Sequence, residues 1–96
     1  MEHLSIDIET KSSVDIGKAG LYRYAQSDDF EILLFAYRYG DESVQIVDLA
    51  QGEKIPDKIV EDLRNPQIVK HAYNAAFEWY CLNKAGYTTP LRQWKC

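Results

Sequence analysis

The chain has 96 residues, of which 46% are hydrophobic and 27% are charged. That composition is typical of a globular protein and excludes a disordered tail, and the length fits one domain rather than two. No apolar run approaches the roughly 18 residues that a membrane-spanning helix needs, and the N-terminus lacks the pattern of a signal peptide. The two cysteines do not form a C-x-x-C pair, so we expect a reducing, cytoplasmic location.

The formal net charge is −4. Proteins that hold nucleic acid through phosphate contacts alone are usually basic. The acidic balance therefore leaves two interpretations open. Either the chain does not contact nucleic acid, or divalent cations supply the positive charge at its site.

The opening segment predicts a strand, because residues 4–9 alternate apolar and polar side chains with period two. One face of this strand carries Leu4, Ile6 and Ile8, and the other carries Ser5, Asp7 and Glu9. Residues 10–29 predict a loop-rich excursion with room for a helical turn.

Two further strands are predicted at residues 30–39 and 43–49, paired as a hairpin across the polar turn Gly40-Asp41-Glu42. Pro56 then begins a helix, since proline is accepted at the first helical position, and Asn65-Pro66 ends it. Residues 67–70 indicate a short buried strand.

Asn74 is a favourable N-cap for a second helix, which runs to Ala85 and ends at Gly86. Residues 91–95 begin a further strand. The predicted order is therefore β-β-β-α-β-α-(β), with an antiparallel meander followed by a helical crossover to a parallel strand. That order resembles the beginning of a ribonuclease H-like fold, an α/β class with three layers and a mixed sheet.

Asp7 and Glu9 lie two residues apart on the predicted first strand, so their carboxylates share one face. Paired carboxylates are the ligands that hard cations such as Mg²⁺ and Mn²⁺ prefer, and a strand holds them rigidly. The alternative is that this D-x-E triplet is only the hydrated face of an edge strand, which is the commoner meaning of the pattern taken alone.

Glu78 is the third acidic candidate. At 100° per residue it falls in the arc of the second helix that should face the sheet, together with Cys81 and Leu82. A buried carboxylate is costly unless it is paired or bound to metal, so this position favours a functional role. The alternative is that the helix rotates, exposing Glu78 and packing Trp79 or Tyr80 inward.

Two other groups of side chains have a structural interpretation beside the functional one. Tyr22, Arg23 and Tyr24 offer stacking faces and a phosphate contact for single-stranded DNA, but such a cluster more often covers a hydrophobic edge. His71 precedes the second helix, and we assign it no catalytic role.

Two motifs in this order resemble the DEDD, or DnaQ-like, 3′–5′ exonuclease superfamily. Asp7-Ile8-Glu9-Thr10 is similar to its first motif, D-x-E-T, and Asn74-Ala75-Ala76-Phe77-Glu78 is similar to its second, N-x-x-F-[DE]. The segments around residues 20–24 and 31–37 are similar to the N-terminal domains of phage and prophage family A polymerases. The likeness extends from about residue 4 to residue 96, as a single incomplete exonuclease domain over residues 1–96.

The resemblance implies a role for each candidate. Asp7 would bridge two Mg²⁺ or Mn²⁺ ions, Glu9 would complete the shell of the first ion, and Glu78 would hold the second. The substrate would be the 3′ end of single-stranded DNA, contacted through residues Thr10, Asn74, Tyr22 and Arg23, and the products would be nucleoside monophosphates. For Asn74, helix capping is the simpler role.

The chain departs from the family pattern at two points. Glu78 stands where the family usually has Asp, which shifts the carboxylate by about one methylene. The third motif, Tyr or His followed four residues later by Asp, does not occur after residue 80, so the resemblance places it beyond Cys96 in a longer protein. A polymerase domain would follow there, and the truncated sheet edge would favour self-association.

Two further hypotheses compete with a proofreading exonuclease module. One is a non-catalytic module that binds single-stranded nucleic acid or protein and has a degenerate exonuclease fold. The other is a small α/β domain whose acidic residues are only surface.

The 96-residue chain is expected to bind divalent metal weakly and to show little or no nuclease activity. Loss of one oriented catalytic group typically costs 10²-fold or more in rate. The measurement is release of nucleotides from labelled single-stranded DNA with Mn²⁺. Turnover that Asp7→Ala abolishes would contradict this expectation.

Overall fold

The first strand, β1 (His3–Lys11), lies at the centre of the sheet in a computed structural model that describes residues 2–96. The burial of its two faces agrees with the predicted alternation of apolar and polar side chains. The core face buries Leu4, Ile6 and Ile8, and the opposite face exposes Asp7 and Glu9.

Residues 2–96 form five strands and four α-helices. The other strands are β2 (Glu31–Tyr39), β3 (Gln45–Asp48), β4 (Val69–His71) and β5 (Trp94–Lys95). The helices are α1 (Ile16–Ala19), α2 (Leu21–Gln26), α3 (Asp57–Arg64) and α4 (Ala75–Lys84). Short 3₁₀ turns precede α3 and β5, at Leu49–Gln51 and Leu91–Gln93.

The sheet is mixed and has the strand order β3-β2-β1-β4-β5. β2 runs antiparallel to both β1 and β3, which confirms the predicted meander. The helix α3 then takes the chain across to β4, which lies parallel to β1, and α4 leads in the same way to β5, parallel to β4. The predicted α/β class and mixed topology are thus confirmed.

The segment 10–29 is more regular than the sequence prediction. Thr10 and Lys11 continue β1 after a shift in register that follows Glu9. Two short helices, α1 and α2, then replace the predicted loop. Asp15 caps α1 by accepting a hydrogen bond from the Gly17 amide at 2.9 Å, and Gly20, at φ 88°, separates the two helices.

The last strand is shorter than predicted. Residues 91–93 form a 3₁₀ turn, so only Trp94 and Lys95 pair with β4. Two tryptophan side chains hold this segment through Thr89. Trp94 Nε1 donates a hydrogen bond to the Thr89 hydroxyl at 2.9 Å, and Trp79 Nε1 of α4 donates one to the Thr89 carbonyl at 2.9 Å.

The two long helices begin and end close to the predicted positions. Pro56 lies at the N-cap of α3, and Asn65 at its C-cap. Asn74 caps α4, since its side-chain oxygen accepts a hydrogen bond from the Phe77 amide at 3.4 Å. Among residues 2–96, no helix has the length and apolarity to cross a membrane.

The core contains a lysine side chain. Lys70 on β4 is fully buried and stands opposite Leu4 of β1. Its Nζ donates a hydrogen bond to the Asn65 carbonyl at 2.6 Å. Burial lowers the pKa of Lys70 to about 8, against the opposing effect of the Asp62 carboxylate.

This lysine makes the stability depend on pH in a predictable direction. Between its folded pKa of about 8 and its ordinary pKa of 10.5, the unfolded chain binds more protons than the folded one. The free energy of unfolding of the wild type should therefore rise, relative to Lys70→Met, by about 2 kcal/mol between pH 8 and pH 10. Urea unfolding at both pH values measures it, with the exposed Lys54→Met as control. Parallel pH profiles for wild type and Lys70→Met would contradict the prediction.

Candidate functional site

The two acidic side chains of β1 lie on the exposed face of the strand, away from the core. Asp7 pairs in register with Ala36 and Glu9 with Leu34, both on β2. The strand therefore presents two carboxylates on one side, as the D-x-E spacing predicts.

Glu78 lies one turn into α4, in the buried stripe of the helix. Only 4% of its surface is exposed, and its Oε2 atom has no hydrogen-bond partner among the described residues. The alternative in which the helix rotates Glu78 into water is therefore wrong, although Trp79 and Tyr80 are each half-buried as well.

Parallel pairing of β4 with β1 brings the helix to the carboxylates. His71 ends β4 opposite Ser5, and the chain then turns through residues 72–74 into α4. Asp7 lies two residues beyond Ser5 on β1, so α4 follows β4 at the edge of the sheet toward which β1 carries Asp7. Open sheets of this kind place their sites where parallel strands end.

The charges of Glu78 and Asp7 interact. Burial is the larger cause that raises the pKa of Glu78 to about 7, and the negative charge of Asp7 raises it further. Cys81, one turn further along α4, is buried, and burial together with the Glu78 charge raises its pKa to about 12. The thiol is a core side chain, as its pattern predicts.

Asp7 and Glu78 fit a divalent cation by their chemistry. Carboxylate oxygens are hard ligands suited to Mg²⁺ or Mn²⁺, and a cation would compensate the unpartnered Glu78 oxygen. Within residues 2–96, no three His, Cys, Asp or Glu side chains come together as a metal-holding group. The participation of Glu9 as a third ligand remains a prediction.

The predicted nucleic-acid contacts differ in their surroundings. The Thr10 hydroxyl is hydrogen-bonded to the Tyr24 hydroxyl at 2.8 Å, so β1 is tied to α2. Tyr22 is 66% exposed and meets Tyr80 edge to face, with ring centroids 4.7 Å apart. Arg23 is exposed.

Two features on the segment from the end of β4 to α4 and on the neighbouring end of β1 carry no functional signal in the sequence. Tyr73, in the turn before α4, is fully exposed. His3 Nδ1 and His71 Nε2 lie 2.6 Å apart, so one imidazole donates to the other and links β1 to β4. The sequence does not indicate such a pair, because the two histidines are 68 residues apart.

The fold and site define an α/β sheet with a coupled pair of carboxylates at the end of its parallel strands. Over its whole length the chain is 50% identical, across 97 aligned residues, to a DNA polymerase of Bacillus phage SP02. The aligned segment spans 15% of that polymerase. No protein-family model matches the chain. No solved structure matches it either.

Replacement of Asp7 tests the coupling directly. Asp7→Asn removes a negative charge, so the pKa of Glu78 should fall below about 7 and stay above its ordinary value because burial persists. Titration of the Glu78 side-chain carboxyl carbon by NMR measures the change. Glu9→Gln is the matched control on the same face. An unchanged Glu78 pKa in Asp7→Asn would show that the two carboxylates are not neighbours.

Proposed function

We propose that the chain is part of a two-metal-dependent 3′–5′ exonuclease module of a DNA polymerase. Its substrate is the 3′ end of single-stranded DNA, and its products are nucleoside monophosphates. The observation that carries the proposal is the buried carboxyl group of Glu78, which has an unpartnered oxygen and senses the charge of Asp7.

The burial of the Glu78 carboxylate is energetically unfavourable if the residue has only a structural role. Burying a carboxylate without a partner costs several kcal/mol unless it is protonated or compensated by a cation. The negative charge of Asp7 makes ionisation of Glu78 harder still. Two carboxylates arranged in this way gain favourable interactions when a divalent cation binds between them.

Three residues would hold the ions. Asp7 would bridge both, Glu9 would complete the shell of the first, and Glu78 would hold the second, directly or through water. Such a pair of ions supplies a hydroxide near neutral pH and stabilises charge on the scissile phosphate. Glu78 stands where the resembling family usually has Asp, so its longer side chain would place the carboxylate about one methylene further from the helix.

Other residues of the chain orient this set. Asn74 fixes the first turn of α4 by its hydrogen bond to the Phe77 amide, and that turn holds Glu78. Thr10 follows the carboxylates on β1 and is fixed by Tyr24. Tyr22 and Arg23 are exposed on α2 and are available to a single strand as a stacking face and a phosphate contact.

Two independent observations support the same assignment. The relative in Bacillus phage SP02 is named a DNA polymerase, and the identity to it extends over the whole chain. The strand order β3-β2-β1-β4-β5 is also compatible with the ribonuclease H-like fold that the two motifs imply. A polymerase region in the same longer protein and a single-stranded DNA end are the partners that this proposal requires.

One observation favours a second candidate, a non-catalytic module that binds single-stranded nucleic acid or protein. Among the described residues the three acidic side chains do not form one metal-holding group. If Glu9 stays apart from Asp7 and Glu78 when metal is present, the fold serves binding rather than hydrolysis.

Metal-dependent melting separates these functions. Mn²⁺ at about ten times its dissociation constant should raise the free energy of unfolding by about 1.4 kcal/mol and shift the melting temperature upward. Asp7→Asn and Glu78→Gln should each abolish the shift, because each removes one ligand. Differential scanning fluorimetry at several Mn²⁺ and Mg²⁺ concentrations gives the measurement.

The exposed Glu61→Gln on α3 is the matched control, since it removes one negative charge outside the site. It should respond to metal as the wild type does. A shift that persists in Asp7→Asn would mean that the cations bind the acidic surface in general, and the nuclease proposal would then fail.

A further inference from the structure

Both histidines of the chain meet on the surface of the sheet. The sequence contains two, His3 and His71. His3 Nδ1 lies 2.6 Å from His71 Nε2, and the two rings are stacked with their centroids 4.9 Å apart and their planes at 21°. The fold therefore brings together the only two imidazole groups that the chain has.

The register of the parallel strands explains this contact. His3 and Ser5 lie on the same face of β1, because side chains two residues apart on a strand point the same way, and Ser5 pairs with His71. His71 is therefore diagonal to His3, on the face of the sheet that carries Asp7. His3 is exposed and His71 is partly exposed, so small solutes reach the pair.

The histidine pair is separate from the carboxylates. Asp7 follows His3 by four residues on β1, which corresponds to about 13 Å along a strand that rises about 3.3 Å per residue. Imidazole nitrogens suit Zn²⁺, Ni²⁺ and Cu²⁺, whereas carboxylate oxygens suit Mg²⁺ and Mn²⁺. The two places on β1 thus differ both in position and in the cations that they prefer.

The two facing nitrogens need little movement to share one ion. At a metal–nitrogen distance of about 2.0–2.1 Å, two ligands of a tetrahedral Zn²⁺ site lie about 3.3 Å apart. Adjacent ligands of a square-planar or octahedral site lie about 2.9 Å apart at the same bond length. Small rotations of two side chains at the surface are enough to open the pair from 2.6 Å to either separation.

The surroundings of His3 favour a cation. His3 lines a surface depression together with three acidic residues, Glu2, Asp41 and Glu42. Their negative charges raise the local concentration of cations.

The surroundings of His71 favour its neutral form. Burial is the first cause that lowers the pKa of His71, and the charges of His3 and Lys95 lower it further. Only a neutral imidazole binds metal, so near neutral pH this ring need not release a proton first. Lys95, which pairs in register with His71, is the charge that opposes a cation here.

We propose that His3 and His71 form a metal site for a divalent cation of the Zn²⁺ and Ni²⁺ class, bound through His3 Nδ1 and His71 Nε2. Residues 2–96 supply these two ligands and no third His, Cys, Asp or Glu, so water completes the coordination. One ligand comes from β1 and the other from β4, so the ion links the two strands whose pairing positions α4. The inference does not depend on the proposed exonuclease function.

Melting of the tag-free chain with Zn²⁺ and with Ni²⁺ tests the site. Each ion should raise the melting temperature of the wild type, because the two imidazoles meet only in the folded chain. His3→Gln and His71→Gln should each remove this shift, since each leaves a single imidazole. Asp7→Asn is the control on the same strand face, and it should keep the shift that depends on the histidines.

NMR of the imidazole nitrogens in the labelled wild type identifies the ligand atoms. Zn²⁺ in several-fold excess should shift the Nδ1 signal of His3 and the Nε2 signal of His71, and should leave the other nitrogen of each ring protonated. That pattern follows from the two atoms that face each other. Because no substitution is involved, this measurement decides the question even if a histidine variant fails to fold.

Three results would overturn the inference. Ring nitrogens that do not respond to Zn²⁺ would leave the pair as a hydrogen bond between β1 and β4 only. A response of one histidine without the other would exclude a shared ion. A melting shift that Asp7→Asn removes and His3→Gln retains would assign Zn²⁺ to the carboxylates, which would leave the exonuclease proposal intact.

Discussion

The parallel pairing of β4 with β1 is the constraint on which the site depends. It is a short pairing of only three residues on each strand, from His3 opposite Val69 to Ser5 opposite His71. The hydrogen bond between His3 and His71 and the burial of Lys70 against Leu4 both lie in this short region. Where β4 ends decides where α4 begins, and hence which side of β1 receives Glu78.

The buried side of the helix α4 contains both apolar side chains and a carboxylate. Its buried stripe contributes Ala75, Cys81 and Leu82 to the core, yet the same stripe contains Glu78. Desolvation disfavours the charged carboxylate, so the helix needs strong attachment elsewhere. That attachment comes from Trp79 and Asn83, which both bond to the Thr89 main chain and tie the segment after α4 to the helix.

Features that depend on local chemistry could be predicted from the sequence. The alternation of residues 4–9 predicted the first strand and its two faces. Asn74 predicted the start of α4, because helix capping involves only neighbouring residues. The burial of Glu78 followed from helical periodicity. The participation of Glu9 with the other two acids is untested, because strand spacing defines a face and not the distance to a helix.

Other features depend on contacts that no local pattern encodes. The register shift after Glu9 and the two short helices arise where β1 must turn back toward β2, and the hydrogen bond of Thr10 to Tyr24 joins elements 14 residues apart. The exposure of Tyr73 is likewise set by the turn between β4 and α4. From the sequence alone, a tyrosine next to an apolar strand is equally consistent with a buried position and with an exposed one.

The acidic composition and the proposed substrate are compatible if binding does not rely on phosphate contacts. With a net charge of −4, the chain repels a polyanion at long range, and only cations held by Asp7, Glu9 and Glu78 would offset this at the site. Stacking of a base on the exposed Tyr22 would gain its energy from the uncharged face of that base, so it would be little affected by the repulsion. A domain of this kind should therefore select the frayed end of a strand, where bases are free, over the paired backbone of a duplex.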